Sequence, residues 1–318
     1  MRGDPTLTQG YGFWARLVGN PGYRALSLGL LTGERRRFWL LASFPLAWVC
    51  LAHLGPVLQM VRISFLDAYP PTAGEVSQWT VAHWQAFFHQ PIYLATFGRT
   101  LLFAASLTLI TLFLTYPIAY YLARHVRPSR QLLLLLILLV PFWVGEIVRT
   151  YAIMILLGNR GFINLVLDWL GLIERPIPFM YTNFSLGMGM IYLTSLYMLL
   201  PLYSALEKIP PNYREAAIDL GAGPWTRFWR ITLPLSREGI ASGASLVFLI
   251  SIGYYATPVL LGGPSTTVFA ETVAGFFAVA GDRWPTGAAF ATIMLLTALA
   301  LTAVFLKLMG RRGASLLP

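Results

Sequence analysis

Charged residues are scarce in this chain of 318 amino acids. They make up 11% of the sequence, against about 25% in soluble globular proteins. Hydrophobic residues make up 57%, and the mean hydropathy is +0.64. Several apolar runs reach the roughly 20 residues that a helix needs to cross a hydrocarbon core, and they are continuous, without the alternation of a membrane β-strand. The composition therefore predicts an all-α integral membrane protein.

Cysteine, histidine and nucleotide-binding motifs are also sparse. Cys50 is the only cysteine, so the chain can form neither an intrachain disulfide nor a cysteine-based metal site. The four histidines lack metal-ligand spacing; they are His53, His83, His89 and His125. Neither a G-x-x-x-x-G-K-[ST] phosphate-binding loop nor a G-x-S-x-G nucleophile elbow occurs. We therefore expect no metal, no cofactor and no enzymatic activity, and any ATP must be hydrolysed by another subunit.

The apolar runs predict six transmembrane helices. They cover approximately residues 38–61, 96–123, 132–157, 184–206, 239–261 and 288–308. The chain is thereby divided into a basic N-terminal segment (1–37), a first transmembrane helix (38–61), an external loop (62–95), a core of five helices (96–308) and a C-terminal tail (309–318). The N-terminal segment is weakly amphipathic, and both a helix on the membrane surface and a loosely ordered tail remain open.

Basic residues set the predicted orientation. The formal net charge is +10, and lysine and arginine concentrate on the cytoplasmic side of membrane proteins. With both termini inside, 17 of the 23 lysines and arginines fall on that side, five of them in residues 207–237. We therefore expect the termini and the 207–237 loop in the cytoplasm. Arg99, near the start of the second span, is expected to reach the headgroups. Because the basic residues lie in short loops and not along one face, nucleic-acid binding is not expected.

The 207–237 loop has helix signals of its own. Pro210-Pro211 end the preceding span, Asn212 is the predicted N-cap, and residues 213–220 have the pattern of a short helix. Gly221 follows, at the place where helices commonly end in a left-handed residue. The helix carries two acids four residues apart, which share one face, and a small apolar face; these residues are Glu215, Asp219, Ala216, Ala217 and Leu220.

A second short helix is predicted after the glycine. Pro224 suits its first turn. Four residues at helical spacing form a stripe, namely Trp225, Phe228, Trp229 and Thr232. Leu233-Pro234 end the element, and Ser236 is a candidate cap of the next span. A rigid helix–turn–helix suits a docking surface for a partner protein. An interfacial helix pair that anchors tryptophan and arginine at headgroup level is the alternative.

Polar groups inside the predicted spans are the other candidate functional residues. Glu146 and Arg149 lie three residues apart on one helix face, where they could line a translocation path and Glu146 could meet a cationic substrate. A mutual ion pair, or a position near the outer interface, is the alternative. The fifth span contributes Tyr254, Tyr255 and Thr257. Aromatic faces attract ammonium groups, although these rings could equally pack near an interface.

The loop resembles the signature loop of the permease subunits of bacterial ABC importers. That signature reads Glu-Ala-Ala, three residues, Gly, nine residues, Ile, one residue, Leu-Pro. Every defined position is present here: Glu215, Ala216, Ala217, Gly221, Ile231, Leu233 and Pro234. The likeness extends over about residues 95–310 to the spermidine/putrescine permease group, and within it to the first of the two permeases. Further segments that carry it are Pro141-Phe142-Trp143, Tyr255–Pro264 and Trp284–Ala289.

The resemblance implies a type I ABC importer permease fold in the bacterial inner membrane. In the family the loop docks into an ATPase subunit, with Glu215 opposite a basic group and Gly221 at the turn. The implied partners are two ATPase subunits that bind ATP and magnesium, a second permease subunit and a periplasmic solute-binding protein. The implied substrate is a polyamine or a similar small organic cation. Because the spans contain few carboxylates, we expect the binding protein to make most of the selection.

Three alternatives to a polyamine permease remain at this stage. An ABC permease for an amino-acid-like or other small solute would have the same loop. An ion-gradient-driven secondary transporter or channel would not need the docking pair around Ala216-Ala217 and Gly221. A structural membrane anchor would leave the proline breaks at Pro141 and Pro258 without a purpose.

Overall fold

The computed structural model describes residues 34–71, 76–278 and 283–311. The predictions for residues 1–33 and for the tail beyond residue 311 lie outside this part of the chain. The α-helices, in chain order, are α1 (Glu34–Val49), α2 (Gly55–Ile63), α3 (Ala82–His89), α4 (Pro91–Arg124), α5 (Pro128–Leu139), α6 (Glu146–Leu157), α7 (Phe162–Trp169), α8 (Asn183–Glu207), α9 (Pro211–Asp219), α10 (Pro224–Arg227), α11 (Leu233–Leu235), α12 (Arg237–Gly253), α13 (Ala256–Leu261), α14 (Phe269–Ala278) and α15 (Trp284–Arg311).

The chain divides into two compact units, residues 1–62 and 63–318. In the first unit, α1 continues through a π-helical turn, Cys50–Leu54, into α2. Pro56, at the start of α2, lacks the amide that would bond to the carbonyl four residues earlier, and a π turn accommodates such a gap. The stretch Leu41–Ile63 is long and apolar enough to cross a membrane.

The core of the second unit is formed by α4, α8 and α12, which pack against one another. Leu107, Leu202 and Val247, one from each helix, are almost completely buried. α12 approaches α8 closely at Gly239, where an added Cβ would lie 2.6 Å from the carbonyl oxygen of Pro201. Small residues permit such backbone contacts between helices in membranes, where dispersion forces drive helix association.

A second cluster joins α3, α14 and α15 through aromatic rings. Phe87 on α3 makes edge-on contacts with Phe269 and Phe290, with ring centroids 5.8 and 5.4 Å apart. The rings of Phe269 and Phe290 stack on each other. Edge-to-face pairs align the positive ring edge with the negative face and add to the free energy of burial. This cluster fixes α14 against α15.

The first turns of α4 bind the segment between α13 and α14. The Arg99 guanidinium donates to the carbonyl oxygens of Ser265, at 2.7 Å, and Thr267. The amide of Phe269 donates to the Thr100 hydroxyl at 2.8 Å. Arg99 is exposed, and two carbonyls of its own chain accept from its guanidinium; the expectation that it reaches the headgroups stays a prediction. A sequence pattern cannot reveal these acceptors, which lie more than 160 residues away.

The described residues contain five helices long and apolar enough to span a membrane, and a sixth candidate formed by a bent pair. That pair is Pro224–Leu235 with Arg237–Gly253, bent by 64°. The continuous third span predicted over residues 132–157 is wrong. α5 passes into a 3₁₀ turn at Val140–Trp143, which contains Pro141, and the backbone is extended at Val144 before α6 begins.

The fifth span is interrupted in the same way. α12 ends at Gly253, the chain is extended at Tyr254, and a separate short helix, α13, follows. Tyr254 lies four residues before Pro258. Proline has no amide for the carbonyl at that position, and its ring pushes the carbonyl away. The structure thus contains two broken helices in regions for which hydropathy alone predicts continuous spans.

Candidate coupling loop and translocation site

The first helix of the 207–237 loop begins at the second of two prolines. Pro210 is the N-cap residue and Pro211 the first helical residue of α9. The prediction of Asn212 as N-cap is wrong, because a proline at the first helical position lacks only an amide that would be unpaired there. The Asn212 side chain instead accepts a hydrogen bond from the amide of Tyr213, at 3.1 Å.

Gly221 adopts the predicted left-handed conformation, with φ +75°. Its amide donates to the carbonyl of Ile218 at 2.8 Å, and the amide of Ala222 donates to that of Ala217 at 2.9 Å. This pair of bonds is the Schellman arrangement, which satisfies the last carbonyls of a helix and requires a left-handed residue. The chain therefore ends α9 and reverses at a fixed angle.

The signature residues of α9 divide between two faces. Ala217 is buried, while Glu215, Ala216 and Asp219 are exposed. The predicted apolar face is therefore split, with Ala217 inward and Ala216 outward. Large apolar side chains are exposed on the outer surface of the loop; they are Tyr213 (54%), Ile218 (49%), Leu220 (88%) and Trp225 (72%). Apolar exposure of this extent marks a surface that contacts either another protein or the membrane.

The second part of the loop is a helix with a π turn in its middle. α10 begins at Pro224, as predicted, and is followed by the π turn Phe228–Thr232 and by α11. Phe228 packs edge-on against Tyr116 of α4, with ring centroids 5.6 Å apart. The remaining signature residues are partly buried; they are Ile231, Leu233 and Pro234.

Two hydrogen bonds fasten the ends of the loop to α4. Arg124 donates to the carbonyl of Ile209, just before α9, at 2.8 Å. The Tyr116 and Ser236 hydroxyls lie 2.9 Å apart in a buried pair at the bend into α12. Ser236 occupies the predicted N-cap position but makes no capping bond. Its hydroxyl donates to the carbonyl of Leu233 at 3.0 Å.

The two helix breaks meet at Glu146. Glu146 is the first residue of α6, and its carboxylate accepts a hydrogen bond from the Thr257 hydroxyl of α13 at 3.2 Å. The Thr150 hydroxyl lies 3.2 Å from the Thr257 hydroxyl and donates to the Glu146 carbonyl at 3.0 Å. A carboxylate at a helix N-terminus also interacts favourably with the helix dipole.

Arg149 does not pair with Glu146. Its guanidinium carbon lies 4.5 Å from the centroid of the Phe142 ring, which places the charge on the ring face. The Nε and Nη1 atoms of Arg149 are buried without a hydrogen-bond partner among the described residues. The mutual ion pair considered from the sequence is therefore not formed, and Arg149 retains two unused donors.

The two predicted tyrosines differ in exposure. Tyr254 is partly buried at the break between α12 and α13, whereas Tyr255 is half exposed. Phe142 adds a contact to Tyr192, with centroids 6.2 Å apart. The sequence analysis missed Tyr192 and Tyr197 of α8. The helix is apolar on nearly all sides, so no amphipathic pattern distinguishes these tyrosines from the rest of α8.

Comparison with known proteins agrees with these features. The family model described as "Binding-protein-dependent transport system inner membrane component" matches residues 91–313. The spermidine/putrescine transport system permease protein PotB of Haemophilus influenzae is 32% identical over 250 residues, which cover 76% of this chain and 84% of the relative. The PotB of Escherichia coli K12 is 35% identical over 242 residues, covering 76% and 86%. The inner membrane ABC transporter permease protein YdcU of the same strain is 29% identical, covering 86% and 89%.

Among solved structures, a bacterial ABC transporter involved in the import of the acidic polysaccharide alginate has a similar fold. One of its chains matches with a TM-score of 0.65 at 17% identity, over 87% of this chain and 96% of that chain. The fold is thus that of a type I ABC importer permease, as the resemblance implied.

The family relationship also decides between the classes of membrane protein that the sequence analysis considered. The family model covers more than half of the chain, and the PotB relatives exceed 30% identity over three quarters of it. A permease of this family is a non-catalytic subunit, and ATP is bound by the ATPases that work with it. A secondary transporter and a structural anchor are thereby excluded. The chain belongs to the binding-protein-dependent transport system inner membrane components, the multi-pass permease subunits of ABC importers.

Proposed function

We propose that this permease imports polyamines such as spermidine and putrescine and forms half of their translocation path. The observation that carries the proposal is the Glu146 carboxylate at the junction of α6 and α13, held by the Thr257 hydroxyl. The similarity to the PotB proteins supports the same substrate class. A protonated amine passing this junction would gain a charge-assisted hydrogen bond.

Aromatic rings in the α12–α13 break and on α8, which packs against α6 and α13, suit the rest of such a substrate. Tyr254 lies in the α12–α13 break, and Tyr192 and Tyr197 lie on α8. A cation over an aromatic face gains about 0.5–2 kcal/mol, and the methylene chain of a polyamine can pack on the same rings. One carboxylate cannot balance a cation with several charges. Selection therefore rests mainly on the periplasmic binding protein, as the sequence analysis expects.

Exchange of Glu146→Gln tests the substrate proposal. The amide keeps the shape and loses the charge, so we expect spermidine uptake by cells expressing the complete importer to fall at least about tenfold, the loss that corresponds to one charge-assisted hydrogen bond. Glu174→Gln, at an exposed acid, is the control and should transport normally. Normal uptake by Glu146→Gln at normal abundance would contradict the role of this carboxylate.

A zwitterionic, amino-acid-like solute is the second candidate substrate, and Arg149 favours it. Two buried donors of its guanidinium are unused, and a substrate carboxylate would satisfy them while Glu146 binds the amine. Arg149→Met distinguishes the candidates. Spermidine uptake should persist or rise, because a repulsive charge is removed, whereas uptake of 5-aminopentanoate, if that is the cargo class, should be lost. Arg149→Lys serves as the control that keeps the charge.

We further infer that the 207–237 loop lies in the cytoplasm and docks into an ATPase subunit. Its exposed face combines acids, Glu215 and Asp219, with the apolar side chains of Leu220 and Trp225. Such a mixture fits a cleft that has basic and apolar walls. The complete importer would contain two ATPases, a second permease and the binding protein, and both termini of this chain would be cytoplasmic.

In the proposed mechanism, movement of the ATPase subunits drives transport by displacing the loop. ATP closes the two ATPases on each other, and their movement displaces the loop. Because α9 ends at a fixed turn at Gly221 and α11 continues into α12 through a bend at Ser236, the loop moves as a unit. The spans then alternate between states open to the two sides of the membrane.

A further inference from the structure

The long helix α4 has contacts with functional segments at both of its ends. It contains 34 residues, which corresponds to a length of about 50 Å. Tyr116 and Arg124 lie in its last turns, and Arg99 and Thr100 in its first. Thr100 and Tyr116 are 16 residues apart along one continuous helix, or about 24 Å.

At the last turns, one face of α4 holds the 207–237 loop. Tyr116, Tyr120 and Arg124 are spaced by four residues and therefore share that face. Arg124 binds the carbonyl before α9, and Tyr116 binds Ser236 at the other end of the loop. Between these bonds, Phe228 packs against the rings of Tyr116 and Tyr120, with centroids 5.6 and 6.3 Å apart. The loop cannot shift as a unit without displacing this face or breaking a buried hydrogen bond.

At the first turns, α4 holds the chain that leaves α13. Arg99 binds two carbonyls of that segment, and the buried Thr100 accepts from the amide of Phe269. α13 is only six residues long and carries Thr257, the partner of Glu146. α13 itself packs against α6 and α8, and the segment that follows it, Ser265–Phe269, is bonded to α4. A shift of α4 would therefore reach α13 through the short connection at residues 262–264.

We propose that α4 transmits the displacement of the 207–237 loop to α13 and so to Glu146. The positioning residues for coupled transport are then Tyr116, Arg124, Arg99 and Thr100. In this proposal they act through contacts within the chain and not through contacts with the ATPase or the substrate. The inference rests on the proposed function, since it requires that the loop docks to an ATPase. α4 is one helix from Pro91 to Arg124, with one backbone hydrogen bond missing where Pro117 lacks an amide, and a helix of this length can carry a displacement between its two ends.

A double-mutant cycle across α4 tests the proposal. Tyr116→Phe removes the hydroxyl bond to Ser236, and Thr100→Val removes the acceptor for Phe269. The complete importer is reconstituted in lipid vesicles, and spermidine taken up per ATP hydrolysed is measured with the spermidine-loaded binding protein. Each single variant should lower this ratio about fivefold or more, the lower range of allosteric coupling, while the ATPase still co-purifies.

The double variant decides between transmission and independent local effects. Sites farther apart than about 10 Å normally act independently, so their fold-changes multiply. If α4 transmits the displacement, breaking either end disconnects the same element, and the double variant should be no worse than the stronger single variant. Multiplication of the two fold-changes, or normal coupling in both single variants, would overturn the proposal.

Matched controls come from the same helix. Tyr121→Phe changes a tyrosine that is 61% exposed, and Thr108→Val removes a hydroxyl that bonds only within the helix, to the carbonyl of Ala104. Both should couple normally, and reduced coupling in both would contradict a role confined to the two ends. A wild-type complex that lacks its ATPase, or that spermidine does not stimulate, would overturn the proposed function together with this inference. A stimulated wild type with a multiplicative double variant overturns this inference alone.

Discussion

A single left-handed residue sets the angle between the two helices of the loop. Gly221 has φ +75°, and the space around its Cβ position is open. Side-chain volume is therefore no obstacle at this position, and backbone conformation is the only requirement. Residues with a Cβ adopt the left-handed conformation at a cost of about 1–2 kcal/mol, and asparagine does so most readily. At Glu146, the proposed requirement is the negative charge of the side chain and not its size.

We expect substitutions of Gly221 to rank by their tolerance of a positive φ. Gly221→Asn should keep most of the cargo-stimulated ATPase activity, Gly221→Val should lose most of it, and Gly221→Pro should abolish transport, because proline cannot adopt a positive φ. Membrane insertion should be normal in all three, since the spans are unchanged. The readout is ATPase activity of the purified complex with and without loaded binding protein. Cargo-stimulated ATPase activity near that of the wild type in both the asparagine and the valine variant would show that the left-handed turn is not required.

Among the secondary-structure elements, the two broken helices are the ones that create a polar site in an apolar core. Hydropathy does not detect the breaks, because Val144 and Tyr254 are themselves compatible with an apolar span. The prolines at positions 141 and 258 were the available signals, and they indicate that a break occurs without fixing its position. By contrast, the boundaries of α9 and the start of α10 follow from local prolines and Gly221, and the sequence predicted them to within about two residues. The π turn that ends α10 at Arg227 was not predicted.

The crossing of α8 and α12 is a contact between elements that is sensitive to a small change. An added Cβ at Gly239 would lie 2.6 Å from both the Pro201 oxygen and the Ala205 Cβ. We therefore expect Gly239→Ala to destabilise the protein by about 1–3 kcal/mol, the usual cost of overpacking. Gly187→Ala on α8 is the control, because its added Cβ meets no atom within 4 Å. Thermal unfolding in detergent compares the two, and equal midpoints would contradict the close packing.

At the scale of the whole molecule, the sequence supplied the class and the structure supplied the connections. The composition and the loop signature predict a membrane permease that works with an external ATPase, and the family relationship confirms the permease. The bonds from Tyr116 to Ser236 and from Arg124 to Ile209 join residues 120 and 85 positions apart. No periodicity within one helix encodes such pairs, because each depends on how three helices cross. The same limit explains why the sequence placed Glu146 beside Arg149 and not beside Thr257.

Contact between the 207–237 loop and an ATPase in the cytoplasm can be measured by crosslinking from a cysteine introduced at position 216. The exposed Cys50 is first replaced by serine, and a photoactivatable maleimide is attached to Ala216→Cys or, as the control, to the buried Ala217→Cys. Illumination of the complete importer should join Ala216→Cys to the ATPase, and Ala217→Cys much less. In intact cells, a membrane-impermeant maleimide should leave Ala216→Cys unlabelled. Labelling from outside the cell, without a product linked to the ATPase, would contradict the docking of this loop on a cytoplasmic ATPase.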